Sequence, residues 1–346
     1  MGAPSTNTSG TSLTDLILGR MNQDLPDEYL GITQELFRNT IRLGEEGLRQ
    51  IFQSSTRPLL RTDAPIILPF SNYHDFLEMI YRQRAPSVDK FVRNQGTKED
   101  QRHYKQFNQL FPKKGNPENV GFQDWLQKRS AFIEVAYVHG DKARPSHMIV
   151  VRRKDTARMF YKMAERKIRA ESRGLTKPLA LNDVFGIKIV AQNIEDARAL
   201  VYDKSGLYHT LMRYGLVADT EKESLMVKGC EVGEQLPGID NHYDSDHGKD
   251  HLIQIGAHST LGFGRFEIAV TDAAYFLVDE MEHLEYRRKQ ENIRKRWPKD
   301  QIIRFDEHVA RSQPLDLLLE PERKRPLVPG QFFPGEKEKY DARMAA

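Results

Sequence analysis

Asp183-Val184-Phe185-Gly186-Ile187-Lys188-Ile189-Val190 is an apolar run opened by an acid and interrupted by one cation. Its short length and its β-branched residues predict a strand over 183–191. Asn193 then stands where a helix cap belongs, with Ala197, Leu200 and Val201 on one face behind it. Glu195 and Asp196 fall in that helix's first turn, where the dipole favours acids. A second run, Phe266-Glu267-Ile268-Ala269-Val270, alternates so that Glu267, Ala269 and Thr271 share one side of a strand over 265–270. Asp272 follows as the cap of a long helix reaching Trp297-Pro298, with Arg294, Lys295 and Arg296 at its cation-favouring end. Strands over 148–151 and 251–255, helices over 155–172 and 207–214 and a loop over 220–240 complete an α/β layout.

Outward from this core the pattern changes. Residues 1–140 read as a helical N-terminal region. It begins with a Gly/Ser/Thr/Asn-rich arm over 1–14 that has no apolar core of a secretory signal and reads as disordered. Helices are predicted over 26–53, over 72–84 with Ser71 as cap, over 100–110 and over 122–137. Residues 141–300 form the α/β unit, and 301–346 form a Pro- and charge-rich tail.

Composition narrows the class. Hydrophobic residues make up 39% and charged residues 29%, typical of a polar globular chain. No apolar stretch approaches the roughly 20 residues that span a bilayer, so no membrane partner is expected. The single Cys230 excludes an internal disulfide and a cysteine zinc cage, and fits a reducing, cytoplasmic setting. The net charge of +3 hides an uneven distribution. Residues 141–190 hold thirteen Lys and Arg against five Asp and Glu, a net of +8, which suits an anionic ligand such as a nucleotide or RNA. Residues 231–250 hold one Lys against six acids, a net of −5.

Several polar residues stand at the edges of apolar segments. Arg152, Arg153 and Lys154 precede a helix whose Arg158, Lys162, Arg166 and Arg169 form one stripe. Asp183 and Glu267 belong to separate strands. Asn241, Tyr243, Ser245 and His247 alternate along a short polar segment. Cations, two separated carboxylates, an aromatic and a His suit a metal-bound polyphosphate, because Mg²⁺ takes few carboxylates and keeps water and phosphate oxygens. The alternative for the stripe is an exposed face of an amphipathic helix. For Glu267 it is an exposed or ion-paired edge residue, and for Asp183 a turn cap. A zinc site among His242, His247, His251 and His258 is disfavoured. His251 runs into a strand, and Gly248 stands where a zincin helix has Glu. The sequence has no Walker loop and no nucleophile elbow.

The order of these motifs resembles the synthetase domain of the RelA/SpoT family, the (p)ppGpp synthetases. Arg152-x-Lys154, seven intervening residues and Lys162-Met163 match the spacing of that family's first motif. Asp183-Val184-Phe185-Gly186 resembles its metal-binding strand. Asn241-His242-Tyr243-Asp244-Ser245-Asp246-His247 keeps the Asn, Tyr, Ser and His of its acceptor loop. Glu267-Ile268 resembles its final strand. The resemblance covers about residues 146–297. It implies a nucleotidyltransferase-like mixed sheet flanked by helices. It also implies transfer of the β,γ-diphosphate of ATP to the 3′-hydroxyl of a purine nucleotide or of an RNA end such as tRNA. Under it, Arg152, Lys154, Arg158 and Lys162 hold ATP. Asp183 and Glu267 carry Mg²⁺ or Mn²⁺ and the catalysis, and Asn241, Tyr243, Ser245 and His247 hold the acceptor.

This chain departs from the family at Arg158 (Ser in the family), His242 (Gly), Asp244 (Gln), Ala269 (Gln) and Thr271 (Arg). Those changes favour an acceptor other than GDP or GTP, or a site without activity. Two rival expectations follow: a synthetase fold that only senses nucleotides or mediates interactions, and a nucleic-acid-binding structural protein.

Overall fold

The computed structural model describes residues 46–51, 66–83, 87–94, 96–112, 114–128, 130–138, 147–153, 185–204, 206–217, 239–241, 252–258, 265–294, 299 and 331–332. Its centre is a mixed eight-stranded sheet in the order β5-β6-β7-β4-β3-β2-β1-β8. Six strands are long: β1 (Ile66–Asn72), β2 (Ser130–Val138), β3 (His147–Arg153), β4 (Phe185–Ala191), β6 (Leu252–His258) and β7 (Arg265–Asp272). The edges are short, with β5 (Ile239–Asn241) at one side and β8 (Gln331–Phe332) at the other. Short edges limit strand-to-strand association with other chains. β4 and β7 run parallel at the middle, and the other long neighbours are antiparallel.

The sheet register assigns each residue to a face, since aligned positions on neighbouring strands point the same way. One face carries Ile133, Val135, Val150 and Val190 and packs against α1 (Tyr73–Arg82), α2 (Ser87–Asn94), α3 (Lys98–Leu110), α4 (Val120–Gln127) and α7 (Ala273–Arg294). The other carries Ile187, Ile189, Ile268 and Val270 and meets α5 (Ile194–Tyr202), followed by α6 (Leu207–Arg213). Helices thus cover both faces of an α/β sheet.

The caps follow local chemistry. Asn193 Oδ1 accepts the Asp196 N–H at 2.8 Å, and Ala197, Leu200 and Val201 are buried as their spacing predicts. Asp272, 3% exposed, accepts the N–H groups of Ala274 and Tyr275 at 2.9 and 3.0 Å and so starts α7. Thr97 and Asp100 form a reciprocal capping box at the start of α3.

Residues 1–140 are not wholly helical. β1 and β2 are neighbouring strands of the same sheet as β3 and β4. The single helix expected over 122–137 is two elements, α4 and β2. Trp125, Leu126, Phe132 and Val135 fall at near-helical intervals by coincidence. From Ser130 onward the β-branched and aromatic residues alternate instead, with Ile133 and Val135 entering the core beneath α1. The cap of α1 is Asn72 rather than Ser71, because Asn72 Oδ1 accepts the Asp75 N–H at 2.9 Å while Ser71 is still in β1. α2 had no counterpart in the sequence pattern, its eight residues offering only Val88, Phe91 and Val92 as an apolar face. Within the expected tail, Gln331 and Phe332 pair parallel with Ile66 and Ile67. No described helix is long and apolar enough to cross a membrane.

Candidate functional site

β4, β7 and β3 meet at the middle of the sheet, and their register sets the geometry of the candidate site. Arg152 on β3 is aligned with Gly186 on β4. Gly186 is aligned with Glu267 on β7, and Glu267 with Gly256 on β6. Arg152, Gly186 and Glu267 therefore lie in one row and on one face, with a glycine between the two charges. Neighbouring strands are about 4.8 Å apart, so the backbones of Arg152 and Glu267 are separated by roughly 10 Å. A Cβ built on Gly186 meets nothing within 4 Å among the described residues.

Glu267 is exposed. Its Oε1 accepts from Gln254 Nε2 at 3.0 Å. Among the described residues no cation pairs with it.

Arg152 is situated differently. Its side chain is 16% exposed, and it donates from Nη2 to Glu280, which is 1% exposed on α7. Its guanidinium lies 5.5 Å from the Phe76 ring centroid and 6.0 Å from that of Phe276. One row along the same face, Lys188 donates to Asp279 and lies 3.5 Å from Glu280 Oε1. His283 approaches Asp279 Oδ1 at 3.1 Å. Two cations of the sheet are thus matched to two adjacent acids of one helix. Burial alone would raise the Glu280 pKa; the Arg152 and Lys188 charges outweigh it and hold the carboxyl below its usual range. Asp279 is held down in the same way, with Lys188 first and His283 next overcoming its burial. Burial would likewise lower the Arg152 pKa, but Glu280 reverses that and the guanidinium stays charged. Its Nε is buried without a hydrogen-bond partner among the described residues, so the group retains an unused donor.

Of the residues singled out in the sequence, Arg152 and Glu267 are brought into one row. Asn241 ends β5 and is aligned with Ile253, which is level with Val270, three residues along β7 from Glu267. Lys154, Arg158, Lys162, Asp183, Tyr243, Ser245 and His247 lie outside the described residues. So do His242, His247 and His251 of the zinc alternative. Among the described residues no group of three His, Cys, Asp or Glu side chains could hold a metal ion.

The structure adds four residues that sequence reasoning passed over: Gly186, Lys188, Asp279 and Glu280. Two signals were present. Lys188 is the only charge in the strand Phe185–Ala191, and Asp279-Glu280 interrupts the apolar run that opens α7. A charge inside an apolar segment asks for a partner. What the sequence withheld was that each is the other's partner, 91 and 92 residues apart.

No family model matches the chain, and no curated protein or solved structure matches it.

Proposed function

We propose that the chain is an ATP-dependent diphosphotransferase acting on the 3′-hydroxyl of a purine nucleotide or RNA end. The observation that carries this is the row Arg152–Gly186–Glu267, which sets a guanidinium and an exposed carboxylate on one face of the sheet with only a glycine between them and no cation beside the carboxylate among the described residues. The order of the four sequence motifs supports it independently. Lys154 follows β3 directly, and Asp183 precedes β4 by two residues in the chain.

In the reaction the acceptor hydroxyl oxygen forms a bond to the β-phosphorus of ATP. The bond from that phosphorus to the α,β-bridging oxygen breaks, and AMP leaves. The hydroxyl proton passes to the Glu267 carboxylate, which no described cation neutralises. Arg152 holds phosphate oxygen through the donors not used by Glu280, and Lys154, Arg158 and Lys162 supply further positive charge. Tyr243 stacks on the acceptor base, with Asn241, Ser245 and His247 beside it. An exposed carboxylate with no cation beside it among the described residues fits a divalent-metal ligand, and Glu267 with Asp183 would hold Mg²⁺ or Mn²⁺. Bound there, the metal would neutralise charge on the polyphosphate.

The cytoplasmic setting belongs to the same proposal. A second reading, nucleotide binding without transfer, is favoured by one observation: Arg152 is already matched by a buried acid in an electrically balanced cluster. Thin-layer analysis of γ-labelled ATP with GDP, GTP or tRNA in Mg²⁺ or Mn²⁺ separates the two. A labelled acceptor product supports transfer. ATP binding with no product on any acceptor replaces it with sensing, and no binding refutes both.

A further inference from the structure

Gly186 is the second residue of β4 and is paired on both sides in the sheet, where glycine is unfavourable. It loses more chain entropy than other residues and offers no side chain to pack. Among the described residues the usual reasons for a glycine are absent. Its φ is not positive, since Gly115 and Gly215 are the described glycines with that conformation. No neighbouring backbone presses on it, because an added Cβ meets nothing within 4 Å among the described residues. Gly206 shows the contrast, as a Cβ there would come within 2.7 Å of the Val201 carbonyl oxygen. Among the described residues, neither backbone geometry nor close packing requires a glycine at 186.

What a side chain at 186 would change is the space between Arg152 and Glu267. It would project from the same face of the sheet, midway between them. One flank of that space is Arg152, whose side chain keeps 16% exposure beside its bond to Glu280. The other offers an exposed carboxylate with no described cation beside it. The row beyond is closed by Lys188, tied to α7 through Asp279 and Glu280. A guanidinium N–H donates to phosphate oxygen, whereas a carboxylate accepts from a hydroxyl. A ligand matching both has a phosphate at one end and a hydroxyl a few ångströms away, as a phosphorylated ribose does. We infer that Gly186 is a specificity-determining residue whose missing side chain makes room for the ribose-phosphate portion of a nucleotide, phosphate towards Arg152 and sugar hydroxyl towards Glu267. This rests on the nucleotide reading of the same site.

The test is a volume series, Gly186→Ala and Gly186→Val, with ATP and GDP binding measured by calorimetry alongside thermal melts. Both substitutions suit an extended strand, so melting should be unchanged or raised. Binding of one nucleotide should weaken progressively, by about tenfold or more for Val, the scale of overfilling a packed site. Free ribose 5-phosphate should compete with that nucleotide on the wild-type protein and lose its effect on the Val variant. Three results overturn the inference alone while leaving the nucleotide reading in place. The first is wild-type affinity in both variants. The second is failure of ribose 5-phosphate to compete on a protein that binds ATP or GDP. The third is a Val variant that does not fold, which would show that the space belongs to the protein. If the wild-type chain binds neither nucleotide, the nucleotide reading falls and this inference falls with it.

Discussion

Replacing Glu280 by Gln keeps the shape of the side chain and removes its charge from the cluster beneath α7. Glu280 is 1% exposed, and its carboxylate serves Arg152 and lies 3.5 Å from Lys188. Removing one partner of a buried pair leaves the other charge poorly compensated, at a cost of about 3–5 kcal/mol. Two features place this case at the lower end. Arg152 keeps 16% exposure, and Lys188 keeps Asp279. The expected loss is therefore about 3 kcal/mol, or about 6 °C of melting temperature at roughly 2 °C per kcal/mol for a chain of this size. Replacing both Arg152 and Glu280 by Met should recover most of the loss, because two matched apolar side chains leave no buried charge.

The sign with pH follows from the lowered Glu280 pKa. Glu280 binds its proton more weakly folded than unfolded, where its ordinary value is 4.5. Its contribution is therefore complete above about pH 4.5 and declines as the pH falls through the lower folded value. The gap between wild type and Glu280→Gln should be widest near neutrality and shrink in acid. Urea denaturation and thermal melts at several pH values measure it. A variant melting within about 2 °C of wild type at pH 7 would refute a buried pair, since that is the scale of an exposed one. So would a Met pair no more stable than either single variant.

Two further outcomes follow from the site and its scaffold. Glu267→Gln should lower diphosphate transfer by about 10²–10⁴-fold while ATP binding and melting temperature persist, because Glu267 is exposed and supports no described ion pair. Equal turnover in wild type and variant would remove Glu267 as the proton acceptor. Asp272→Ala should cost about 1–2 kcal/mol in urea denaturation, since one oxygen caps two N–H groups at the start of α7. A loss below about 0.5 kcal/mol would show that α7 is held in place without its cap.

Much of the architecture was legible in local sequence. β4, β7, α5 and α7 were readable because each combines a periodic apolar pattern with a capping side chain at a defined offset, and both signals are set within a few residues. The alternation around Glu267 also settled which of its neighbours share its face, since side-chain direction in a strand depends only on parity. Local reading failed where two elements abut without a strong break. Residues 128–129 separate α4 from β2 with no proline or glycine, and the apolar positions on either side fit one helical stripe.

The residue types of the candidate site were determined by the sequence: an Arg, a Gly inside an apolar strand, a lone Lys, a lone Glu and an Asp-Glu pair. Their mutual positions were decided only by tertiary structure. The parallel pairing of β4 with β7 and the antiparallel pairing of β3 with β4 put Arg152, Gly186 and Glu267 in register, although Arg152 and Glu267 are far apart in the chain. The return of α7 across the sheet gave Arg152 and Lys188 their acids and left Glu267 without a described cation. Such pairing depends on strand order and helix placement, which arise from packing the whole apolar core, and no window of sequence contains that information.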